Sequence, residues 1–481
     1  MWRRDVASSP AVEETPSATK DLVAGLIARA RVAQRAFEQC DQAQVDDAVL
    51  AVGWAIMEPA RNLALAEMAV RDTGLGNVED KFKKNYRKTL GLLRDLKGVK
   101  TVGVIAEHPE LGIVEIARPV GVVVAITPST NPGATPANKI INALKCRNAV
   151  IVAPSPKGLS TCAALVGYVH AELRKLGLPL DLVQYLPAPI TKESTQALMK
   201  QADLVVATGS QNNIRAAATC GTPAFGVGAG NVASIVDVGA DLDAAAAAIA
   251  ASKTFDNATS CSSENSAIIL DKVYADAIAA LQAVGGVMLN AEEKARLQAA
   301  MWPQGKLSSA VTAQKADRVA ELAGLNDERF RRAAFLMVEE TGAGPAFPFS
   351  GEKLSPVLTV YRASDFDHAC RIVSDIYAFQ GAGHSVGIHS GDDAHILRLG
   401  LELPVSRVIV NQAHCFATGG AFDNGLPFSL SMGCGTWGGN NFSDNMTYRQ
   451  YMNTTRIARK IAPRMPTDEE IFGDYLRRHG A

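Results

Sequence analysis

The chain has 481 residues and almost no net charge: 48 Lys and Arg against 49 Asp and Glu leave −1. That balance excludes the strongly basic surface of a nucleic-acid or anionic-membrane binder. Cysteine is sparse and unclustered. The eight (Cys40, Cys146, Cys162, Cys220, Cys261, Cys370, Cys415 and Cys434) include no CxxC pair and no Cys/His ligand group. Neither a metal site nor a secreted disulfide framework is expected, and a reducing, cytoplasmic setting fits best. Long apolar runs are also missing. None approaches the roughly 18 residues of a membrane span. The opening Met1-Trp-Arg-Arg-Asp-Val6 has no apolar core behind its arginines, so it predicts no secretory or twin-arginine leader. There is no internal repeat and no low-complexity segment.

What is present is ordinary globular material, 47% hydrophobic with 40 glycines, in a chain too long for one core. Two or more lobes are expected. Residues 1–20 are polar and read as a loose tail. From Asp21 to Thr73 apolar residues recur three and four apart, which predicts two or three amphipathic helices, and a charged helix follows over about 79–96. Residues 101–126 change period: a β-hairpin turning at His108-Pro-Glu-Leu-Gly112 feeds a buried strand at 119–126. From there strands and helices alternate, with strands at 149–153, 183–186 and 204–207. A second α/β series starts near Ala233 and runs to a strand at 406–410. The rhythm is that of βαβ units, so the fold class is α/β with parallel sheets.

One window carries chemistry. In Lys253-Thr-Phe-Asp-Asn-Ala-Thr-Ser-Cys-Ser-Ser-Glu-Asn-Ser266, Cys261 stands among small polar residues just before an apolar run. A packing cysteine keeps aliphatic company. A cysteine that attacks carbonyls needs room and nearby donors, because the thiolate is the nucleophile.

Several further segments, in this order and spacing, resemble the aldehyde dehydrogenase superfamily over nearly the whole chain. They are Ile126-Thr-Pro-Ser-Thr-Asn-Pro132, Lys139, Val206-Ala-Thr-Gly-Ser210, Gly226-Val-Gly-Ala-Gly-Asn231, Phe255-Asp-Asn257 with Cys261, Glu352-Lys-Leu-Ser-Pro356, Gly383-His384 and Gly433-Cys-Gly-Thr-Trp-Gly438. Within the superfamily the chain is similar to the CoA-acylating branch. The resemblance implies a Rossmann-type cofactor domain over 21–229, with the hairpin at about 101–118 used in oligomerisation. It implies a catalytic domain over 230–424 and a segment 425–481 that returns to the cofactor domain and the oligomer interface. A homodimer or homotetramer is expected.

The resemblance also implies roles. Cys261 is the nucleophile that forms a thiohemiacetal and then a thioester. Its backbone N–H and an asparagine amide stabilise the oxyanion; with Pro132 and Lys139 in register, Thr130 takes the usual place and Asn131 falls one position late. Members that release a free acid carry a glutamate 34 positions before the nucleophile, where this chain has Val227. Valine cannot activate water, so coenzyme A is expected to take the acyl group; Glu264 is the alternative base. His384 is expected near the acyl group. NAD or NADP is expected against Thr127, Pro128, Ser155, Thr208, Gly209, Ser210, Gly228 and Glu352. Ala153 and Pro156 stand where many members hold the adenine ribose, and Lys157 is either a contact to a 2′-phosphate or, the commoner case, a solvated lysine. The stretch 424–440 resembles the acylating sulfoacetaldehyde dehydrogenases, which points to a small anionic aldehyde. Ser260, Ser262, His414 and Thr418 are the expected substrate contacts. Succinic semialdehyde is the close rival, an uncharged short aldehyde is third, and a structural protein on the same fold is the non-enzyme alternative.

Overall fold

The computed structural model describes residues 17–480. Ser17–Phe37 is a helix whose inward stripe is Val23, Leu26, Ile27, Ala30, Ala33 and Phe37. The expected tail is therefore too long at its inner end: residues 17–20 already belong to this helix, and residues 1–16 lie outside the described residues. Three more helices follow, Gln42–Met57, Pro59–Thr73 and Val78–Leu96. Each starts on a side chain that accepts from free backbone N–H groups, Asp41, Glu58 and Asn77 respectively. The last has an unusual inner face. Lys81, Lys84 and Lys88 are buried there, beside Leu92 and Leu96.

Among the described residues the strands form three sheets. The first pair, β1 (Gly103–His108) and β2 (Ile113–Pro119), is the expected hairpin. Five parallel strands follow: β3 (Val122–Thr127), β4 (Ala149–Pro154), β5 (Val183–Tyr185), β6 (Leu204–Ala207) and β7 (Ala224–Gly226). Their spatial order is β5-β4-β3-β6-β7. The order reverses between β3 and β6, so a crevice opens at the carboxyl ends of those strands. Every residue of β3, β4 and β6 is buried. At about 1.5–3 kcal/mol per buried Val or Ile, they form a large part of this lobe's core, together with the helices packed on both faces.

The second lobe is a parallel sheet of seven strands. In chain order they are β8 (Val232–Val236), β9 (Glu264–Leu270), β10 (Gly286–Met288), β11 (Phe335–Glu339), β12 (Val357–Ala363), β13 (Val386–His389) and β14 (Val408–Val410). They lie in the order β10-β11-β12-β9-β8-β13-β14. Finally β15 (Met452–Ala458) pairs antiparallel with β2, with Thr454 opposite Ala117. The far end of the chain thus completes a three-stranded sheet with the hairpin.

Two contacts brace the first lobe at the crevice. Lys139, wholly buried in the helix Ala134–Lys145, donates from Nζ to the carbonyls of Ile126 (2.6 Å) and Val206 (2.9 Å). It is neither a surface lysine nor a free catalytic amine, and burial pushes its pKa well below the usual lysine range. Gly91, inside the helix Val78–Leu96, lets Phe428 pack directly on the backbone; an added Cβ would sit 2.3 Å from that ring.

Candidate active site

Cys261 follows a short turn, Phe255–Ala258, in which Asp256, Asn257 and Ala258 all have positive φ (51°, 52° and 59°). Three such residues in a row are costly for side-chain-bearing backbone and persist only where the surroundings hold them. The holding is visible. The Asp256 carboxylate accepts from Lys84 Nζ (2.6 Å), Lys81 Nζ (3.0 Å), Thr259 Oγ1 (2.6 Å) and the N–H of Asn77 (3.0 Å). Burial alone would raise this carboxyl, but Lys84 and Lys81 outweigh it and keep it below the usual carboxylate range. The remote helix Val78–Leu96 thereby clamps the cysteine loop.

The same lysine sets a second group. Lys84 Nζ donates to Asn131 Oδ1 (2.9 Å). A lysine can only donate, so the amide must present its NH₂ elsewhere. Asn131 and Ser260 both line a cavity of ≈ 450 Å³ walled by Phe255 and Phe416. Asn131 therefore offers the amide donor, while Thr130 has its carbonyl bound to Lys81 Nζ (3.0 Å).

His384 is 1% exposed, with Nε2 3.8 Å from Cys261 Sγ and Nδ1 2.7 Å from Ser385 Oγ. Burial, with Arg407 adding to it, lowers the imidazole to about 3, so it is neutral. Burial pushes the Cys261 thiol up to about 12, with Glu352 and Cys434 adding to the rise. The resting pair is thus thiol and neutral imidazole. The loop Gly226–Asn231 lies directly on the cysteine: a Cβ on Gly230 would fall 2.1 Å from the Cys261 carbonyl oxygen. Only glycine fits there, a reason the sequence motif does not state.

The expected substrate residues divide. Ser260 reaches the cavity, and its hydroxyl bonds that of Ser262 (2.8 Å), which is itself buried. His414 and Thr418 are withdrawn as substrate donors. Both are fully buried behind the cavity. The His414 ring Nδ1 lies 2.9 Å from the Ser262 carbonyl and 2.7 Å from Thr418 Oγ1, and Thr418 donates to the His414 carbonyl (2.8 Å). They brace the Cys261 loop from behind. Glu264 is fully buried in β9, its Oε1 accepting from the His414 N–H (3.2 Å), and it does not line the cavity.

A second cavity, of ≈ 360 Å³, opens at the crevice of the five-stranded sheet and is lined by Thr127, Ser155, Ala153, Pro156 and Asn213. Thr208 and Gly209 lead from β6 to Ser210, which caps the helix Gln211–Ala218 by accepting from the Asn213 N–H (3.3 Å). Pro128 lies one residue beyond β3. Thr208 Oγ1 meets Ser431 Oγ (3.0 Å) from the C-terminal segment. Gly228 is elsewhere: its N–H is taken by Asn440 Oδ1 (3.0 Å), and an added Cβ would meet Cys434 Sγ at 2.9 Å. It serves close packing, not anion binding. Lys157 is exposed and off the cavity, whereas Lys192 lines it. A dinucleotide fits these residues. Thr127 Oγ1 and Glu352 Oε1 are buried polar atoms without a partner, the kind of atom a bound ligand satisfies. Burial raises the Glu352 carboxyl to about 8.

A sequence model of the Aldehyde dehydrogenase family matches residues 4–329. The chain is 67% identical over 463 residues to sulfoacetaldehyde dehydrogenase (acylating) of Cupriavidus necator, covering 96% of this chain and 94% of that protein. It is 39% identical to succinate-semialdehyde dehydrogenase (acetylating) of Clostridium kluyveri, covering 93% and 98%. Among solved structures, an acetylating aldehyde dehydrogenase from Geobacillus thermoglucosidasius superposes with a TM-score of 0.89 at 34% identity, covering 94% and 98%. The chain belongs to the aldehyde dehydrogenase family.

Proposed function

We propose that this chain oxidises a small aldehyde to its coenzyme A thioester through Cys261, and that sulfoacetaldehyde is the substrate. One observation carries the acylating reading: the loop Gly226–Asn231, packed on Cys261, bears no carboxylate. The nearby carboxyls do not replace it. Glu264 is turned to His414, and neither it nor Glu352 lines the cavity that Asn131 and Ser260 share. An acyl group on Cys261 then waits for a nucleophile that needs no carboxylate base, which a thiol is and water is not.

The residues act in order. Asn131 and the Cys261 N–H hold the aldehyde oxygen. Cys261 Sγ attacks the carbonyl carbon as its proton passes to His384 Nε2, the base within reach. Thr127, Ser155, Ser210 and Glu352 would hold NAD or NADP, which would supply the hydride acceptor. Loss of hydride leaves a thioester on Cys261. The coenzyme A thiol attacks that carbonyl, its proton ends on the departing Cys261 sulfur, His384 releases to solvent the proton it took, and acyl-CoA departs. The cofactor lobe is assigned to 21–229, the catalytic lobe to 230–424 and the returning segment to 425–481. The exposed Val104, Leu111 and Ile457 on the three-stranded sheet support a homo-oligomer built there. Among the described residues no helix is long and apolar enough to cross a membrane, and a cytoplasmic enzyme is proposed.

The test follows reduced cofactor when protein, NAD⁺ or NADP⁺ and sulfoacetaldehyde are mixed with and without coenzyme A, with succinic semialdehyde run in parallel. Turnover should need coenzyme A and vanish in Cys261→Ala. Free acid released at the same rate without coenzyme A would overturn the reading. Val227→Glu should add some acid release to the wild-type background.

A further inference from the structure

The helix Val78–Leu96 turns cations toward the cavity that Asn131 and Ser260 line, and all but one are already committed. Lys83 pairs with Glu79 (2.6 Å). Lys81 and Lys84 share Asp256, and Lys84 also binds Asn131 and Thr259. Lys88 donates to the carbonyls of Gly419 (2.8 Å) and Gly420 (3.2 Å). Arg87 is the exception. It lines the same cavity as Asn131 and Ser260. Among the described residues it makes no hydrogen bond or ion pair; the Asp423 carboxylate acts on it only from a distance. Its guanidinium lies over the rings of Phe416, Phe422 and Phe428, at 5.2, 5.9 and 5.7 Å. Stacking of this kind uses the faces of the group and leaves its N–H edge unspent. A half-buried guanidinium with an unspent edge, in an aromatic-walled cavity, calls for an anion.

We propose that Arg87 is the specificity-determining residue of the cavity, pairing with the sulfonate of the bound aldehyde. The inference rests on the aldehyde-oxidising reading of Cys261 and takes the place of His414 and Thr418 as anion donors. Arg87 follows Lys84 by three residues, a rise of about 4.5 Å along the helix, and Lys84 grips the amide that faces the carbonyl. Both side chains therefore reach the same cavity, which places an anion donor within one helical turn of the residue that holds Asn131. The sulfonate oxygens meet the planar fork in the paired geometry that arginine provides and lysine does not. An uncharged aldehyde leaves the guanidinium without a partner in the same cavity, so the residue selects by penalty as well as by attraction.

The experiment compares wild type, Arg87→Gln and Arg87→Lys in coenzyme A-dependent turnover of sulfoacetaldehyde and of propionaldehyde. In Arg87→Gln the ratio of kcat/KM for the two aldehydes should fall about 100-fold, mainly through the KM for sulfoacetaldehyde. Arg87→Lys, which keeps the charge and loses the fork, should fall between. A ratio unchanged within about threefold in both variants overturns the proposal. A binding measurement separates this from the reading beneath it. Millimolar ethanesulfonate should raise the Tm of the wild-type protein and not that of Arg87→Gln. If no aldehyde is turned over at all, the functional reading fails while this shift still decides Arg87. A wild type that ethanesulfonate does not stabilise, or an Arg87→Gln stabilised equally, sinks the assignment whatever the kinetics. Should Arg87→Gln not fold, the same two readouts on Arg87→Lys decide.

Discussion

Without cofactor and substrate, Cys261 should be slow to alkylate at neutral pH, despite its role as a nucleophile. Burial takes its thiol to about 12, against 9.0 for an unperturbed cysteine. At pH 7 about one molecule in 10⁵ then carries the thiolate, against about one in 10² for the unperturbed thiol. Iodoacetamide labelling of Cys261 should therefore run about 10³-fold slower than for free cysteine, and should rise about tenfold per pH unit from 7 to 10. Quantifying the alkylated peptide by mass spectrometry measures this directly. The neutral His384, lowered to about 3, adds a second arm. Because it does not hold the proton in the resting state, His384→Gln should leave the labelling rate within about threefold. The same variant should lower kcat by about 10²–10⁴-fold, the usual range for a lost general base. A labelling profile that levels off below pH 9, or labelling that collapses in His384→Gln, would mean a resting thiolate–imidazolium pair and would refute this account.

Two further outcomes test the clamp and the cofactor carboxyl. Lys84→Met should free the Asn131 amide and lower kcat about 10–100-fold. Combined with Asn131→Ala it should show a coupling of at least about 1 kcal/mol, and simple additivity in the double-mutant cycle would contradict the contact. For Glu352 the sign is set by a folded-state carboxyl raised to about 8 from the usual 4.5. The stability it contributes is complete below pH 4.5 and is lost as pH rises toward 8. Glu352→Gln should therefore gain on the wild type across that window by up to about 1.4 kcal/mol per pH unit in denaturant titrations. A difference that does not change with pH would show that the carboxyl is not raised.

The parts of the site legible in the sequence were those signalled by local composition. Cys261 stood out because Thr259, Ser260, Ser262 and Ser263 surround it, and Val227 because valine has no titratable group. The strands β3 and β4 showed as unbroken apolar runs, which only a strand covered on both faces tolerates. Other residues misled. His414 and Thr418 looked like donors because their types are polar and their loop follows a strand. Packing turned both inward, where the His414 Nδ1 meets Thr418 Oγ1 and the Ser262 carbonyl. Residues 17–20 were polar enough to read as tail, yet the first helix begins at Ser17, ahead of its first buried residue Val23. Lys81, Lys84, Arg87 and Lys88 gave no signal, since charges three and four apart on a helix are also the pattern of a solvated face.

The order of residues by itself determined the α/β rhythm, the placement of one reactive sulfur among small polar neighbours, and the lack of a water-activating carboxylate opposite it. Each of these is a property of side-chain type or of spacing along one segment. The chain's folding back on itself decided the rest: which amide is held at the cavity beside the cysteine loop, which histidine lies beside the sulfur, and which cation of the helix Val78–Leu96 makes no ion pair among the described residues. Those depend on the helix Val78–Leu96 docking against a loop that follows it by some 170 residues, where burial turns ordinary surface lysines into a clamp and one arginine into an unpaired charge. Burial and pairing are relations between distant segments, and no single window of sequence contains them.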